Sequence, residues 1–131
     1  MNIYSEFLEK MKQDDFNKYA VIDVLNLYVN GKRFFERLED FAKKNGERRE
    51  YHGVIYSEEY EKDDEGYFGE NKILFYSGDY ADEEDNPEDI VEYDEFYKYL
   101  EVACEFFLER NPSQKEKVEE LILEIKKTYG I

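Results

Sequence analysis

Asp89-Ile90-Val91-Glu92-Tyr93 is a short strand-like segment with apolar-acidic-apolar alternation over Val91-Glu92-Tyr93, and Asp94-Glu95-Phe96-Tyr97-Lys98-Tyr99-Leu100 follows without a break at helical spacing. A change of period from two to about 3.6 within twelve residues places a strand directly before a helix. Downstream, Phe96, Leu100, Ala103, Cys104, Phe107 and Leu108 make one buried stripe, with Asp94 placed to cap the helix. Asn111-Pro112 breaks it, and Ser113 with Glu116 has the spacing of a capping box. Val118, Leu121, Ile122 and Ile125 give a last helix its core face, and residues 128–131 are expected to fray. Residues 94–131 therefore read as a helical hairpin.

Upstream of the junction, short alternating segments bounded by turn residues predict two more strands, 49–57 and 67–77, the second with a break possible at Gly69. Acidic connections at 58–66 and 78–88 separate the strands, and such self-repelling loops stay mobile until a cation or a partner orders them. At the N-terminus Ile3, Phe7 and Met11, with Tyr4 and Leu8, form one face of a helix that Asp14-Asp15 interrupts. Residues 16–29 have strand-like β-branched content, yet Asp23, Asn26 and Asn30 share a helical face, and a helix is expected. Asn30-Gly31 and Asn45-Gly46 are placed to end helices in a left-handed conformation, with Phe34, Leu38, Phe41 and Ala42 inward on a helix over 32–45. The fold class is α+β: N-terminal helices over 1–48, a small antiparallel sheet with acidic loops over 49–93, and the hairpin, in a single domain of 131 residues. A chain of that length buries roughly two thirds of its unfolded surface.

Charge is distributed unevenly. Residues 50–95 hold eighteen acids against Lys62 and Lys72, so that this stretch carries the chain's entire net charge of −16. Tyr51, Tyr56, Tyr60, Tyr67, Tyr76, Tyr80 and Tyr93, seven of the thirteen tyrosines, lie in the same stretch. With 41% hydrophobic residues the chain is too apolar for a disordered acidic tail. Such charge repels phosphate backbones and anionic lipid, which argues against direct nucleic-acid or membrane binding. A single cysteine, no apolar leader and no membrane-length run predict a reduced, cytoplasmic protein.

No spacing motif marks a catalytic pair among carboxylates that water keeps ionised. His52, the only histidine, stands in a strand without a nucleophile motif, and Cys104 reads as a small core hydrophobe. From Glu61 to Gly66 the acids and glycine follow the first half of a calcium loop, but the twelfth position is Lys72, a cation where a bidentate Glu is needed. One Cys and one His cannot build a four-ligand zinc site, and Gly66, Gly69 and Gly78 lack the Lys-Ser/Thr of a phosphate cradle. No cofactor is expected. What remains is an acidic, tyrosine-bearing surface for a basic partner, in which tyrosines supply contact area and carboxylates accept from Lys and Arg. Partners with concentrated basic clefts are above all proteins that handle nucleic acid.

Gly66-Tyr67-Phe68-Gly69-Glu70, the strand Ile73-Leu74-Phe75-Tyr76, the junction from Asp89 to Leu100 with Ala103-Cys104-Glu105, and Leu108-Glu109-Arg110-Asn111-Pro112 together resemble the ribonuclease-toxin immunity proteins of bacterial contact-dependent growth inhibition. The resemblance covers roughly residues 66–128. It implies a cytoplasmic, non-enzymatic protein, encoded beside a toxin, that binds a basic RNase domain and prevents RNA cleavage. Together with the charge, it selects Tyr60, Asp63, Asp64, Glu65 and Tyr67 in the first connection as toxin-binding residues, with Asp79, Tyr80, Asp82, Glu83, Glu84 and Asp85 in the second. Two alternatives stay open: docking on an exosite through the hairpin with the acids only steering, and a carboxylate-rich metal-dependent hydrolase. A nucleic-acid mimic acting on a regulator is a third.

Overall fold

A computed structural model describes residues 2–78 and 87–131. Helix α1 spans Ile3–Gln13, α2 Tyr19–Val29 and α3 Phe34–Ala42. Strands β1 (Glu47–Arg48), β2 (His52–Tyr56), β3 (Lys72–Ser77) and β4 (Glu88–Glu92) form an antiparallel sheet in the order β1-β2-β3-β4. Helices α4 (Tyr93–Arg110) and α5 (Lys115–Tyr129) complete the α+β fold. The two-residue strand β1 was not anticipated from the sequence, being too short for any alternation to register.

Alternation sets the faces of the sheet. Val54 and Tyr56 of β2, Ile73 and Phe75 of β3 and Val91 of β4 point into a core shared with the helices. Helices α2 and α4 pack on β3 and β4 from that side. Phe96 of α4 meets Phe41 at 4.9 Å and Phe75 at 5.4 Å between ring centroids, which joins α3, α4 and the sheet at one point. The ambiguous run 16–29 resolves as helix because Ala20, Val21, Ile22, Val24 and Leu25 are all buried, walled on one side by the sheet and on others by α1 and α4.

Several helix ends differ from those the sequence suggested. Helix α2 closes at Asn30 with φ −97°, a right-handed end, and α3 reaches its left-handed residue at Lys44, φ 55°, ahead of Asn45-Gly46. Gly46 is required for another reason: a Cβ there would stand 2.5 Å from the Val54 carbonyl oxygen of the paired strand. Helix α4 begins at Tyr93 with Glu92 at its cap, two residues before the Asp94 cap expected, so Asp94 lies within its first turn. The capping box at Ser113 does not form, because Pro112–Gln114 makes a 3-10 turn and α5 starts at Lys115. Nor do residues 128–131 fray. Tyr129 is buried, its hydroxyl donates to the Phe41 carbonyl at 2.8 Å and also bonds Tyr56, and Gly130 ends the helix at φ 71°. Helix α5 accordingly lies mainly along α3.

The strand-helix junction is anchored from a distance. Lys18, which precedes α2, offers no side-chain cap, and the Asp89 carboxylate of β4 takes the Ala20 N–H at 2.7 Å instead. Lys18 itself bridges to Glu95 at 3.0 Å, and the Tyr93 N–H donates to the Asn71 carbonyl. The chain thus uses part of its acid to fix β4 and α4 against α2.

Candidate interaction surface

Each acidic connection is placed by the strands it joins. The first leaves β2 at Tyr56 and returns at Lys72, while the second leaves β3 after Ser77 and returns before Glu88. In an antiparallel sheet these are opposite ends, separated by the length of β3, roughly 20 Å at about 3.4 Å per residue. At the second end Ser77 N–H donates to the Pro87 carbonyl and Gly78 N–H to that of Tyr51. Asp79, Tyr80, Asp82, Glu83, Glu84 and Asp85 lie outside the described residues.

The first connection carries hydrogen bonds of its own. Ser57–Glu59 forms a 3-10 turn in which the Glu59 carboxylate accepts from the Tyr56 N–H at 2.6 Å, and the buried Ser57 hydroxyl accepts from the Phe68 N–H. Asp64 receives the Glu61 N–H at 2.9 Å, and its carbonyl receives the Tyr67 N–H. These local bonds satisfy backbone groups that would otherwise need water or a partner. Gly66 packs so close to Tyr60 that a Cβ would lie 2.9 Å from the ring.

Tyr60 and Tyr67, both half-buried, come together around an open depression of about 380 Å³ shared with Glu58, Glu61, Lys62 and Glu70. Asp63, Asp64 and Glu65 are exposed on the turn beyond it, with no described cation against them. Lys62 pairs with Glu70 at 3.0 Å, and this hydrogen bond raises the ammonium above its ordinary range. Bases from the N-terminal part of the chain also reach the acidic stretch: Lys44 meets Glu58 and Arg48 meets Glu59, each at 3.3 Å. The Arg48 guanidinium also donates to the Tyr60 hydroxyl at 3.3 Å, fixing the ring's orientation.

Not every tyrosine of the acidic stretch is a surface group. Tyr56 and Tyr93 belong to the core, with 0% and 3% exposure, because their strand and helix positions face inward. Tyr76 lies across Gly53, where a Cβ would meet its ring at 2.2 Å, and donates its hydroxyl to the Arg49 carbonyl at 2.6 Å. His52 is likewise satisfied, its Nε2 lying 2.9 Å from Glu47. Among the described residues no group of three or more His, Cys, Asp or Glu is arranged to hold a metal ion. Burial pushes the Cys104 thiol up to about 12, with Glu101 and Glu105 adding to the effect, so the thiol stays protonated.

A tied acidic turn with paired tyrosines, fixed beside a strand-helix junction, suits recognition of a protein. The sequence pattern of the CDI immunity protein family matches residues 18–122. The chain belongs to that family. CDI denotes contact-dependent growth inhibition, and an immunity protein of that kind acts by binding its cognate toxin. A solved immunity protein from Neisseria meningitidis MC58 shares the fold, with a TM-score of 0.59 at 18% identity over 98% of each chain. No curated protein matches the chain. The family match includes the whole first connection and the junction, and it takes in residues 18–48, which sequence resemblance had left unassigned.

Missed from the sequence was the sheet's other face. Ile55, Leu74 and Tyr76 point away from the helices with Ile90, although a solvated antiparallel face ordinarily carries polar side chains. The available signal was the unbroken apolar run Ile73-Leu74-Phe75-Tyr76, since strict alternation would have placed polar residues at 74 and 76.

Proposed function

We propose that this chain neutralises a cognate RNase toxin domain in the cytoplasm by covering its basic active site with the acidic, tyrosine-bearing surface around Tyr60 and Tyr67. One observation carries it: the depression between these rings is bordered by Glu58, Glu61 and Glu70 against one base, Lys62, and although Lys62 pairs with Glu70 and Lys44 with Glu58, the lining stays acidic and aromatic, a combination that fits an inserted Lys or Arg side chain. Asp63, Asp64 and Glu65 extend the negative field outward from the depression, where they meet the partner first. Such charge raises association rates toward ~10⁸ M⁻¹s⁻¹ at low salt. An RNase must hold phosphate, so its cleft is basic, and carboxylates can occupy the positions of the RNA backbone. Asp79, Tyr80, Asp82, Glu83, Glu84 and Asp85 add a second acidic cluster to this proposal.

The combined variant Asp63→Asn, Asp64→Asn, Glu65→Gln tests the role of the turn. Stopped-flow mixing with the toxin domain encoded beside this chain's gene should give association slowed about tenfold or more at low salt, with the difference shrinking as salt rises. Tyr60→Ala should act on dissociation, because it removes a buried anchor. If both variants bind and protect cells as the parent does, the toxin does not sit on this surface.

A further inference from the structure

The face of the sheet turned away from the helices has a row of aliphatic side chains across its middle. Ile55 pairs with Leu74 and Leu74 with Ile90, so strand register brings the three side by side on β2, β3 and β4. Ile90 is 44% exposed, and Ile55 and Leu74 are half-buried. Tyr76 continues the surface toward β1, where Arg48 links it to Tyr60 and the first connection. Among the described residues the five α-helices take their places with the inward-facing residues, and none of them packs on this row.

We propose that this helix-free face, centred on Ile55, Leu74 and Ile90, is the apolar centre of the toxin interface and takes a toxin surface with an apolar patch ringed by Lys or Arg. The inference rests on the toxin-binding reading and adds to it the surface that carries most of the affinity. Charge selects the occupant. On β4 the exposed Glu88 and Glu92 stand on either side of Ile90 on the same face; of the described cations there, Arg48 is paired with Glu59 and Lys72 stands across from Glu92 in the strand register, which leaves Glu88 and the chain's net charge of −16 to face a partner. A second copy of the chain would bring like charge against this rim, and a net charge of −16 rules strongly against such pairing. A basic protein meets the opposite condition: its Lys and Arg pair with the rim while the aliphatic row is desolvated, the usual division between centre and rim.

Ile90→Glu and the double variant Leu74→Glu, Ile90→Glu decide between this arrangement and a purely electrostatic one. Both add negative charge, so attraction through charge alone would leave affinity for the adjacent toxin domain unchanged or improved. An apolar centre requires the reverse, a loss of about 100-fold in Kd for the double variant, chiefly through faster dissociation. Methyl NMR of the parent chain supplies a measurement independent of any substitution. The Ile55, Leu74 and Ile90 methyl signals should shift on adding toxin and lose their contact with water. Binding by the double variant at parental strength, or unshifted methyls in a formed complex, overturns the placement while leaving toxin binding intact. Failure of the parent chain itself to bind that domain overturns the reading on which the placement rests.

Discussion

Glu47 is the residue on which the inner sheet edge depends. Its carboxylate receives Arg37, bonds the Tyr28 hydroxyl at 3.2 Å and lies 2.9 Å from His52 Nε2, with the Arg37 guanidinium 4.9 Å above the Tyr28 ring. Burial alone would raise this carboxyl, but Arg37, His52 and Tyr28 together outweigh it and hold the group below its ordinary value of 4.5. The resulting stability is complete above about pH 4.5 and is lost as pH falls through the lowered folded value. Asp23 has the opposite sign. Burial raises its carboxyl, opposed by the Ser77 bond and reinforced by Asp89, so its contribution is full below the ordinary 3.8 and disappears as pH rises through the raised value. Glu47→Gln should lower the unfolding free energy at pH 7 by about 1–3 kcal/mol in urea titrations. The gap from the parent should close below pH 4.5, and a pH-independent gap would remove the electrostatic account.

Among the elements, α5 carries the clearest test. The sequence pattern of Val118, Leu121 and Ile125 identified its core face, but nothing in a terminal Thr-Tyr-Gly-Ile marks Tyr129 as the plug between α3 and β2. Its role depends on partners distant in the chain, the Phe41 carbonyl and Tyr56, which no local spacing reveals. The same holds for the α2 start, capped by Asp89 from 69 residues away, whereas the part of the α4 stripe formed by Phe96, Leu100, Ala103 and Cys104 was legible because helical period sets it, Phe107 and Leu108 being only partly buried. Tyr129→Phe keeps the ring but removes the hydroxyl that bonds the buried Tyr56 hydroxyl and the Phe41 carbonyl, which retains the Lys44 N–H. We expect a loss of about 1–3 kcal/mol in thermal or urea unfolding, and Tyr129→Ala should cost about 3–5 kcal/mol. A chain ending at residue 128 that unfolds like the parent would contradict the packing of α5 described above.

At the scale of the whole molecule, charge and topology together produce the surface. The concentration of acid in residues 50–95 was legible by counting, as were the α+β class and three of the four strands. Its disposition was not, because the antiparallel order sends the two acidic connections to opposite ends of the sheet and draws Lys18, Lys44 and Arg48 onto Glu95, Glu58 and Glu59. Tyr56 and Tyr93 likewise counted toward an aromatic face until their inward positions removed them. Among the described residues the surface left outside has a tied acidic turn at one end, the anchors of the second connection at the other, and an aliphatic row between them. Mixing the adjacent toxin domain with labelled RNA and increasing amounts of this chain tests the central claim most directly. The account predicts that cleavage stops at one equivalent and returns when high salt separates the pair. Full cleavage in the presence of a formed complex, or no complex at all, would contradict it.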